Sequence, residues 1–387
     1  MYAIKTYNKI AACGLDLFDK AKYTVSESEE APVGAIVRSA ALHEEKFAPE
    51  LLAIARAGAG TNNIPVDRCS DEGIVVFNTP GANANAVKEL VLAGFFLASR
   101  KIAPAIEWAK TLKGNGEAVG KMVEKGKSAF AGPEIKGKKL GVIGLGAIGV
   151  LVANAACDLG MKVYGYDPFL SLQNAWNLSR NVVHANDMNE IFAECDYISL
   201  HIPLNANTKG FINAEAFASM KDGVRILNFA RDGLVNSNDM IAALESGKVA
   251  SYVVDFPTDE MIGVEGVVCI PHLGASTPES EDNCAVMAAE ELIDFIENGN
   301  ITNSVNLPNV SMPRSTAMRV CVIHKNIPNM ITTVTSALAK DNVNIENLMN
   351  RSKGDYAYTM LDVNECDAAA VTEHVSAVDG IIRVRVI

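Results

Sequence analysis

The sequence lacks any apolar run of the roughly 18 residues that a membrane-spanning helix needs, and its start, MYAIKTYNKI, has no apolar signal region. These two absences argue against a membrane protein and against export. Its eight cysteines occur singly, without any Cys-x-x-Cys spacing. Scattered cysteines suit reduced thiols rather than disulfides or a zinc site, so we expect a cytoplasmic protein without a metal site.

Positive charge is also scarce, because 34 Lys and Arg residues stand against 46 Asp and Glu residues, for a net charge of −12. No basic stripe could meet a phosphate backbone, which argues against a nucleic-acid-binding protein. An anionic small molecule would have to be held by a few local positive groups. Apolar residues make up 49% of the 387 residues and charged residues 21%, which is typical of a globular protein of two or three domains.

Short apolar strands alternate with helical segments through most of the chain, which is the pattern of parallel α/β domains. The stretch NANAVKELVLAGFFLASRKI predicts one long helix, and the Gly- and Lys-rich segment 114–137 predicts a surface connection. Another long helix is predicted to begin at Pro278 and to end before Gly299. After a Pro- and Ser-containing linker, residues 319–387 follow a β-α-β-β-α-β order, which predicts a small ferredoxin-like domain.

A glycine-rich turn, Gly144–Gly149 (GLGAIG), separates the strand LGVIG from a helix, and Asp167 ends the following strand. Glycines let the backbone turn tightly and approach a pyrophosphate, which the helix N-terminus attracts. Asp167 would accept hydrogen bonds from the adenosine ribose and repel a 2′-phosphate. This order of parts predicts a Rossmann-type site for NAD rather than NADP.

Polar side chains follow three later predicted strands: Arg231 in FARDG, Asp255 and Glu260 in VVDFPTDE, and His272 in PHLG. Because the carboxyl ends of parallel strands share one edge of a sheet, we expect these side chains to gather there. An arginine can hold a carboxylate and polarise the adjacent carbonyl. A histidine beside a carboxylate can exchange a proton near neutral pH. The set predicts hydride transfer to or from a 2-hydroxy acid.

These motifs resemble those of the D-isomer-specific 2-hydroxyacid dehydrogenases, from about Ala35 to Gly299, in RAGAGTNNI, NTPG, LGVIGLGAIG, YDP, HIPL, ARDGLVN and PHLGAST. The resemblance implies that Arg231 and His272 are catalytic. It also implies that Glu260 orients His272, with Asp259 as the alternative because this loop is one residue shorter than is usual. The implied fold is a flavodoxin-like substrate domain, residues 1–93 and 276–310, and a doubly wound NAD-binding domain, residues 94–275.

The resemblance also implies contacts for the two ligands. The residues expected to contact NAD are Ala59, Gly144, Gly146, Ala147, Ile148, Gly149, Tyr166, Asp167, Pro168, His201, Ile202, Pro203, Thr208, Phe229, Ala230, Asp255, Gly274 and Ala275. The residues expected to bind the substrate, including a phosphate group, are Arg38, Ser39, Arg56, Gly58 and Asn78. The alternative for the two arginines is that they are solvated strand ends.

Residues 317–387 resemble an ACT domain, a regulatory module that binds small ligands, in RVCVIHKNIPN and DNVNIENL. The resemblance implies that L-serine binds between two such domains on His324, Asn326 and Asn344, whose donors and acceptors suit an amino acid. Asn329 stands where glycine is common, and asparagine tolerates the left-handed conformation that this turn requires. The alternative is a dimerisation domain that has lost its ligand.

The sequence therefore predicts an NAD-dependent dehydrogenase of a phosphorylated 2-hydroxy acid, assembled as a homodimer or homotetramer. One alternative is a reductase of hydroxypyruvate or glyoxylate, which would not need a phosphate pocket. Another is a non-catalytic protein that senses NAD. The presence of Arg231, His272 and the C-terminal module counts against this last alternative.

Overall fold

The computed structural model describes residues 1–387 and contains three β-sheets. The strands are β1 (Tyr2–Tyr7), β2 (Tyr23–Ser26), β3 (Gly34–Val37), β4 (Ala53–Arg56), β5 (Val75–Asn78), β6 (Lys139–Ile143), β7 (Lys162–Tyr166), β8 (Val183–His184), β9 (Tyr197–Leu200), β10 (Val224–Asn228), β11 (Val249–Val254), β12 (Val267–Cys269), β13 (Met318–Lys325), β14 (Ile345–Lys353), β15 (Tyr356–Val363) and β16 (Ile381–Val386).

The helices connect these strands. They are α1 (Ala12–Leu15), α2 (Val66–Asp71), α3 (Ala84–Ser99), α4 (Ile102–Thr111), α5 (Val119–Gly126), α6 (Ala147–Asp158), α7 (Leu172–Asn177), α8 (Met188–Glu194), α9 (Ala214–Ser219), α10 (Ser237–Glu245), α11 (Pro278–Asn298), α12 (Met330–Lys340) and α13 (Ala368–Ser376). Short 3-10 helices cover Gly116–Ala118 and Lys127–Phe130. None of the helices combines the length and the apolar character needed to cross a membrane.

Contacts between residues divide the chain into two compact units. The first unit joins Met1–Asn83 to Pro278–Ile387, and the second unit is Ala84–Thr277. The C-terminal sheet therefore belongs to the same unit as the N-terminal sheet.

The sheet of the second unit is parallel throughout, with seven strands in the order β12-β11-β10-β9-β6-β7-β8. The strand order reverses at the neighbouring strands β6 and β9. In such sheets, ligands bind beyond the carboxyl ends of the strands where the order reverses. The predicted Rossmann-type, doubly wound fold is confirmed.

Small residues allow helices to lie close to this sheet. A Cβ atom added to Gly94 of α3 would lie 2.8 Å from the ring of Phe229 and 2.9 Å from Leu227. The buried face of α6 is built mainly from glycine, alanine and valine. Both helices pack into one core with β6, β7 and β10, and this packing fixes the turn from which α6 begins.

One prediction for the middle of the chain is wrong. The helix predicted to run through Ile102 ends at Ser99, and α4 begins at Ile102. Pro104 lies in the first turn of α4, where the missing N–H would have no partner within the helix. The predicted surface connection contains α5 and both 3-10 helices. Its Gly126 is a packing residue, because a Cβ there would lie 2.3 Å from Trp108.

The N-terminal sheet has five parallel strands in the order β2-β1-β3-β4-β5, so the predicted flavodoxin-like order is confirmed. Its strands β3, β4 and β5 end side by side, with Val37 paired to Arg56 and Arg56 paired to Asn78. The carboxyl edge of this sheet thus carries the residues predicted to bind the substrate.

The C-terminal sheet is antiparallel, in the order β14-β15-β13-β16, and the predicted ferredoxin-like fold is confirmed. Helices α12 and α13 cover one face, where Val320 and Val322 pack with Leu338 and Val371. Asn329 precedes α12 with φ of 67°, so the predicted left-handed turn is also confirmed.

The opposite face of the C-terminal sheet is covered as well. Ile323, Tyr358 and Met360 belong to the same hydrophobic core as Phe77 of β5 and Phe295 of α11. Successive residues of a strand point to opposite faces, so β13 is buried on both sides. The C-terminal sheet is therefore an integral layer of the first unit.

Arginine side chains add directional contacts to this packing. Arg385 of β16 donates to the carbonyls of Phe295 and Ile296, 3.2 and 2.8 Å away, near the C-terminal end of α11. Such carbonyls lack partners within the helix, and a cation there also opposes the negative end of the helix dipole. Arg383 donates to the carbonyls of Leu51 and Glu72.

The buried side chain of Arg319 makes the most enclosed ion pair in the chain. Its Nε and Nη2 donate to the two carboxylate oxygens of Asp362 over 2.6 and 3.1 Å, and both side chains are 0% exposed. The pairing lowers the pKa of Asp362 although burial opposes this shift. Nη1 of Arg319 donates to the carbonyl of Asn298 at the end of α11, so the pair also ties β13 to that helix.

Candidate active site and cofactor cradle

The glycine-rich turn lies between β6 and α6, at the point where the strand order reverses. Gly144 has φ of 94°, and a Cβ there would lie 2.5 Å from the carbonyl oxygen of His201. A Cβ on Gly149 would lie 1.9 Å from the carbonyl oxygen of Gly144. A Cβ on Gly146 would meet nothing within 4 Å. Two of these glycines thus allow close packing, while Gly146 leaves open space in front of the N-terminus of α6.

Asp167 is held against this turn by backbone hydrogen bonds. Its Oδ2 accepts from the N–H of Leu145, and its Oδ1 accepts from the N–H of Phe169, both over 2.8 Å. Each carboxylate oxygen keeps a further lone pair, so the side chain can still accept from a ribose hydroxyl. The half-buried carboxylate is therefore fixed next to the predicted pyrophosphate site.

We expect Asp167 to make NADH the better coenzyme by well over tenfold, or roughly 1.4 kcal/mol, since a 2′-phosphate would meet a fixed negative charge. Asp167→Ala should raise KM for NADH. It should also lower the ratio of kcat/KM with NADH to kcat/KM with NADPH. Steady-state kinetics with both coenzymes measure this ratio. Asp158→Ala, which removes an exposed carboxylate at the end of α6, should leave it unchanged. Equal use of both coenzymes by the unmodified protein would contradict the role of Asp167.

The loop after β9 contains further residues that were predicted to contact the cofactor. His201 directly follows this strand, and its Nε2 lies 2.8 Å from the Ser199 hydroxyl. Desolvation lowers the pKa of His201 to about 4, so its ring is neutral at physiological pH. Thr208 closes the loop, because its hydroxyl donates to the carbonyl of Pro203 and accepts from the N–H of Asn205.

Arg231 lies in the loop that follows β10, and its exposed side chain donates to the carbonyl of Ala230 over 2.7 Å. The buried side chain of Asn228 shapes this loop. Its Nδ2 donates to the carbonyl of Arg231, and its Oδ1 accepts from the N–H of Ala230. Asn228 was not predicted from the sequence, although a polar residue at the end of the apolar strand VRILN was a visible signal.

Asp255 directly follows β11 and is only 1% exposed. Neither carboxylate oxygen makes a hydrogen bond within the chain. Burial raises its pKa to about 6, while the nearby backbone N–H of Gly274 and the charge of Arg231 oppose that rise. Buried polar atoms without partners are rare, and they mark positions where a ligand can supply the missing donor. This observation fits the predicted contact between Asp255 and the cofactor.

His272 lies in the exposed loop after β12, and its ring packs against Phe256 with a centroid distance of 4.5 Å. Phe256 was not foreseen as its neighbour, because the loop that carries it has no regular period. Glu260 lies in the exposed turn after β11, where its own backbone N–H and the Thr258 hydroxyl lower its pKa. Whether Glu260 or Asp259 orients His272 stays a prediction.

Four residues predicted to bind ligands come together at the carboxyl edge of the N-terminal sheet. Gly58 has φ of 144°, and a Cβ there would lie 1.4 Å from Nη1 of Arg56. Only a glycine therefore lets the guanidinium of Arg56 fold over this loop. Asn78 joins the cluster, since its Nδ2 donates to the carbonyl of Ala59 over 2.6 Å.

Arg38 follows β3 at the same edge, and its Nη2 lies 2.8 Å from the carboxylate of Glu281 in α11. Both side chains are partly exposed, so an anion can compete for the guanidinium. The backbone N–H groups of Ser39 and Ala40 donate to Oδ1 of Asn8, which has φ of 71°. Glu281 and Asn8 were not predicted from the sequence, since both are distant in sequence from the motif that they contact.

The residues predicted to bind serine differ in exposure. His324 lies within β13 and is 2% exposed, with Nδ1 2.8 Å from the carbonyl of Lys325 and Nε2 2.9 Å from the Thr359 hydroxyl. A carbonyl only accepts, so Nδ1 of His324 carries a proton. Asn326 and Asn344 are exposed. These two asparagines are therefore the predicted serine contacts that lie at the surface.

The second unit fits a dinucleotide by three observations: the glycine turn with its open space, the fixed carboxylate of Asp167, and the buried carboxylate of Asp255 without a partner. A family model described as D-isomer specific 2-hydroxyacid dehydrogenase, NAD binding domain, matches residues 93–274. This match lies over the seven-stranded sheet and all its motifs.

Curated relatives extend the similarity over most of the chain. A D-3-phosphoglycerate dehydrogenase of Haemophilus influenzae is 32% identical over 355 residues, which cover 88% of this chain and 82% of the relative. Among solved structures, NAD+-bound 3-phosphoglycerate dehydrogenase of Entamoeba histolytica has a TM-score of 0.61 at 29% identity, covering 79% of this chain and 98% of that structure.

A more distant structure shares the fold. A glyoxylate reductase from Paecilomyes thermophila has a TM-score of 0.64 at 24% identity and covers 79% of this chain and 98% of its own. Enzymes with different substrates thus have this fold, so the substrate must be argued from the residues of the site.

Proposed function

Since this chain belongs to the D-isomer-specific 2-hydroxyacid dehydrogenases, we propose that it oxidises D-3-phosphoglycerate to 3-phosphohydroxypyruvate with NAD, the first step of L-serine biosynthesis. The relatives that cover most of the chain carry the name of this activity. The residues at the carboxyl edge of the N-terminal sheet support a phosphorylated substrate, because they supply two arginines in a chain of net charge −12.

Gly144, Gly146 and Asp167 would hold NAD, which would supply the hydride acceptor for C2 of the substrate. Arg231 binds the substrate carboxylate and stabilises the carbonyl oxygen that forms. His272 takes the proton from the 2-hydroxyl group as the general base. Arg231 and His272 lie in exposed loops and are accessible to the substrate. The buried side chain of Asn228 positions the Arg231 loop through its hydrogen bond to the Arg231 carbonyl. In this proposal, the carboxylate of Glu260 orients His272.

The arginines Arg38 and Arg56 hold the phosphate and carboxylate groups of the substrate in this proposal. The observation that carries the substrate assignment is the cluster in which Gly58 makes room for the guanidinium of Arg56 beside Asn78. Ser39 and Gly58 lie next to these arginines and are also assigned to the substrate site in this proposal. A reductase of hydroxypyruvate or glyoxylate would have no need for this concentration of positive charge.

We expect Arg38→Ala and Arg56→Ala to raise KM for phosphohydroxypyruvate at least tenfold more than KM for hydroxypyruvate, because only the former carries a phosphate. Glu281→Gln should lower KM for phosphohydroxypyruvate, since it removes the carboxylate that pairs with Arg38. NADH oxidation with each substrate measures both effects.

The exposed side chain of Lys20, without an ion pair, provides a matched control, and Lys20→Ala should change neither KM. Equal effects of the arginine substitutions on both substrates would leave these residues with a structural role and favour the reductase alternative. An unmodified protein that turns over neither substrate would favour the alternative of a protein that senses NAD.

The C-terminal domain is proposed to act as an ACT domain that binds L-serine and slows the enzyme. The exposed side chains of Asn326 and Asn344 support this proposal, while His324 supports the turn from the interior. A structural role is the alternative, and it is favoured by the packing of this sheet against Phe77 and Phe295. We also propose a cytoplasmic homodimer or homotetramer.

We expect L-serine to inhibit without competing directly with the substrate. Its proposed contacts belong to the first unit, whereas Arg231 and His272 belong to the second. Asn344→Ala should abolish inhibition and leave uninhibited turnover nearly unchanged. Calorimetry with L-serine and with D-serine measures the binding, and Asn181→Ala on the second unit is the control. If millimolar L-serine produces no heat of binding, the domain is a structural layer or binds another ligand.

A further inference from the structure

An open surface pocket of about 390 Å³, called the cavity below, lies on the first unit between the C-terminal sheet and the edge of the N-terminal sheet. Its lining consists of Asn78 at the end of β5, residues from the segment 303–309, and the last residues of β14, Arg351, Ser352 and Lys353. This volume is within the range that holds small organic molecules. Of its lining residues, only Asn78 belongs to the proposed substrate site, and none belongs to the proposed serine site.

The lining carries positive charge and no acidic side chain. Arg351 and Lys353 are its two charged residues, and asparagine and serine side chains supply most of the remaining polar groups. The exposed side chain of Arg351 makes no hydrogen bond or ion pair within the chain, whereas Nζ of Lys353 donates to the carbonyl of Ser304 over 3.0 Å. Guanidinium, ammonium and amide groups together suit an oxyanion.

The register of β14 explains why both cations point into this space. Met349, Arg351 and Lys353 alternate along the strand, so their side chains share one face of the sheet. Met349 packs against the core that lies between this sheet and the rest of the unit. At two residues apart, the two cations are roughly 7 Å apart along the strand. An anion between them would relieve the repulsion of like charges.

A chain of hydrogen bonds joins this cavity to the predicted substrate edge. Asn303, with φ of 60°, accepts the backbone N–H of Asn78 at its carbonyl, and its Nδ2 donates to Glu291 over 2.8 Å. Burial raises the pKa of Glu291 to about 8, so this carboxyl is mostly neutral at physiological pH. The acid behind Asn303 therefore contributes little negative charge that would oppose an anion.

We propose that this cavity binds a small oxyanion, a phosphate or a carboxylate, between Arg351 and Lys353. The site is separate from Arg38 and Arg56, and it touches the substrate edge through Asn78 alone. An anion bound there links the C-terminal strand β14 to the strand end that carries Asn78. The site thus offers the C-terminal domain a second way to respond to a small molecule.

Calorimetric titration of the full-length protein with inorganic phosphate, and separately with citrate, tests this site at an ionic strength matched with chloride. In Arg38→Ala protein, which lacks one arginine of the substrate edge, we expect binding of at least one probe. Adding Arg351→Gln should weaken that binding at least tenfold, and Arg351→Lys should restore part of it. Binding of phosphate alone or of citrate alone identifies the preferred oxyanion.

Arg351 is exposed and has no partner within the chain, so its substitution should leave folding intact. Lys353→Gln is a second variant that should weaken binding in the same way, and Lys121→Gln on α5 is the control that should not. The proposal is overturned if Arg38→Ala protein binds neither probe, or if its affinity is unchanged by both Arg351→Gln and Lys353→Gln. Neither outcome depends on turnover, so the test is independent of the proposed reaction.

Discussion

His272→Ala should lower kcat by on the order of 100-fold or more, while the affinity for NADH stays close to that of the unmodified protein. The reason is that the imidazole moves the substrate proton, whereas the dinucleotide cradle is built from the glycine turn and Asp167. Steady-state turnover of phosphohydroxypyruvate gives kcat, and fluorescence titration gives the dissociation constant of NADH.

His184→Ala is the matched control, since His184 is an exposed histidine on β8 in the same unit. It should change neither quantity. The pH dependence of kcat should lose its histidine inflection only in the His272 variant. Glu260→Gln and Asp259→Asn then show which carboxylate orients the ring, by the variant that shifts this inflection. A His272→Ala protein that keeps a third of its kcat would remove this residue from the mechanism.

Arg319→Ala should destabilise the first unit by roughly 3–5 kcal/mol, because it leaves the carboxylate of Asp362 buried without its counter-charge. The side chain also donates to the carbonyl at the end of α11, so the contact between that helix and β13 is lost as well. Chemical denaturation followed by circular dichroism measures the free energy of unfolding. Arg319→Met combined with Asp362→Leu should recover much of the loss, since it removes both buried charges.

The exposed pair of Lys110 and Glu107 provides the control, because pairs in solvent contribute about 0–1 kcal/mol. Lys110→Ala should therefore have a small effect. A loss below 1 kcal/mol in Arg319→Ala would show that water or a rearrangement compensates the carboxylate. Chemical denaturation can also be applied to a chain without residues 319–387. This deletion would expose Phe77 and Phe295 and should destabilise the remaining chain.

The sequence predicted the parts of the site that depend on local order. Gly144, Gly146 and Gly149 lie at the junction of a strand and a helix, where Gly144 and Gly149 allow close packing and Gly146 leaves open space, as the spacing implied. The parallel α/β character of the first two domains and the ferredoxin-like order of the third followed from the order of strands and helices, whereas the flavodoxin-like strand order was implied by the resemblance.

The parts that could not be predicted depend on contacts between distant segments. The sequence around Arg319 does not predict a buried ion pair, because Asp362 becomes its neighbour only in the folded chain. His324 was placed in a binding turn, but β13 continues through it and buries the ring. Glu281 lies far in sequence from Arg38, and no periodic pattern in a sequence predicts an ion pair between such distant residues.

Coverage of both faces of the C-terminal sheet restricts how a second copy of the chain can join it. The strand β14 lies at one edge, with Glu346, Asn347 and Leu348 exposed, whereas β16 at the other edge is half-buried along its whole length. Stacking of two such sheets face to face would require each to leave its own core. Self-association through this domain must therefore proceed by strand addition along β14 or by contact between helices.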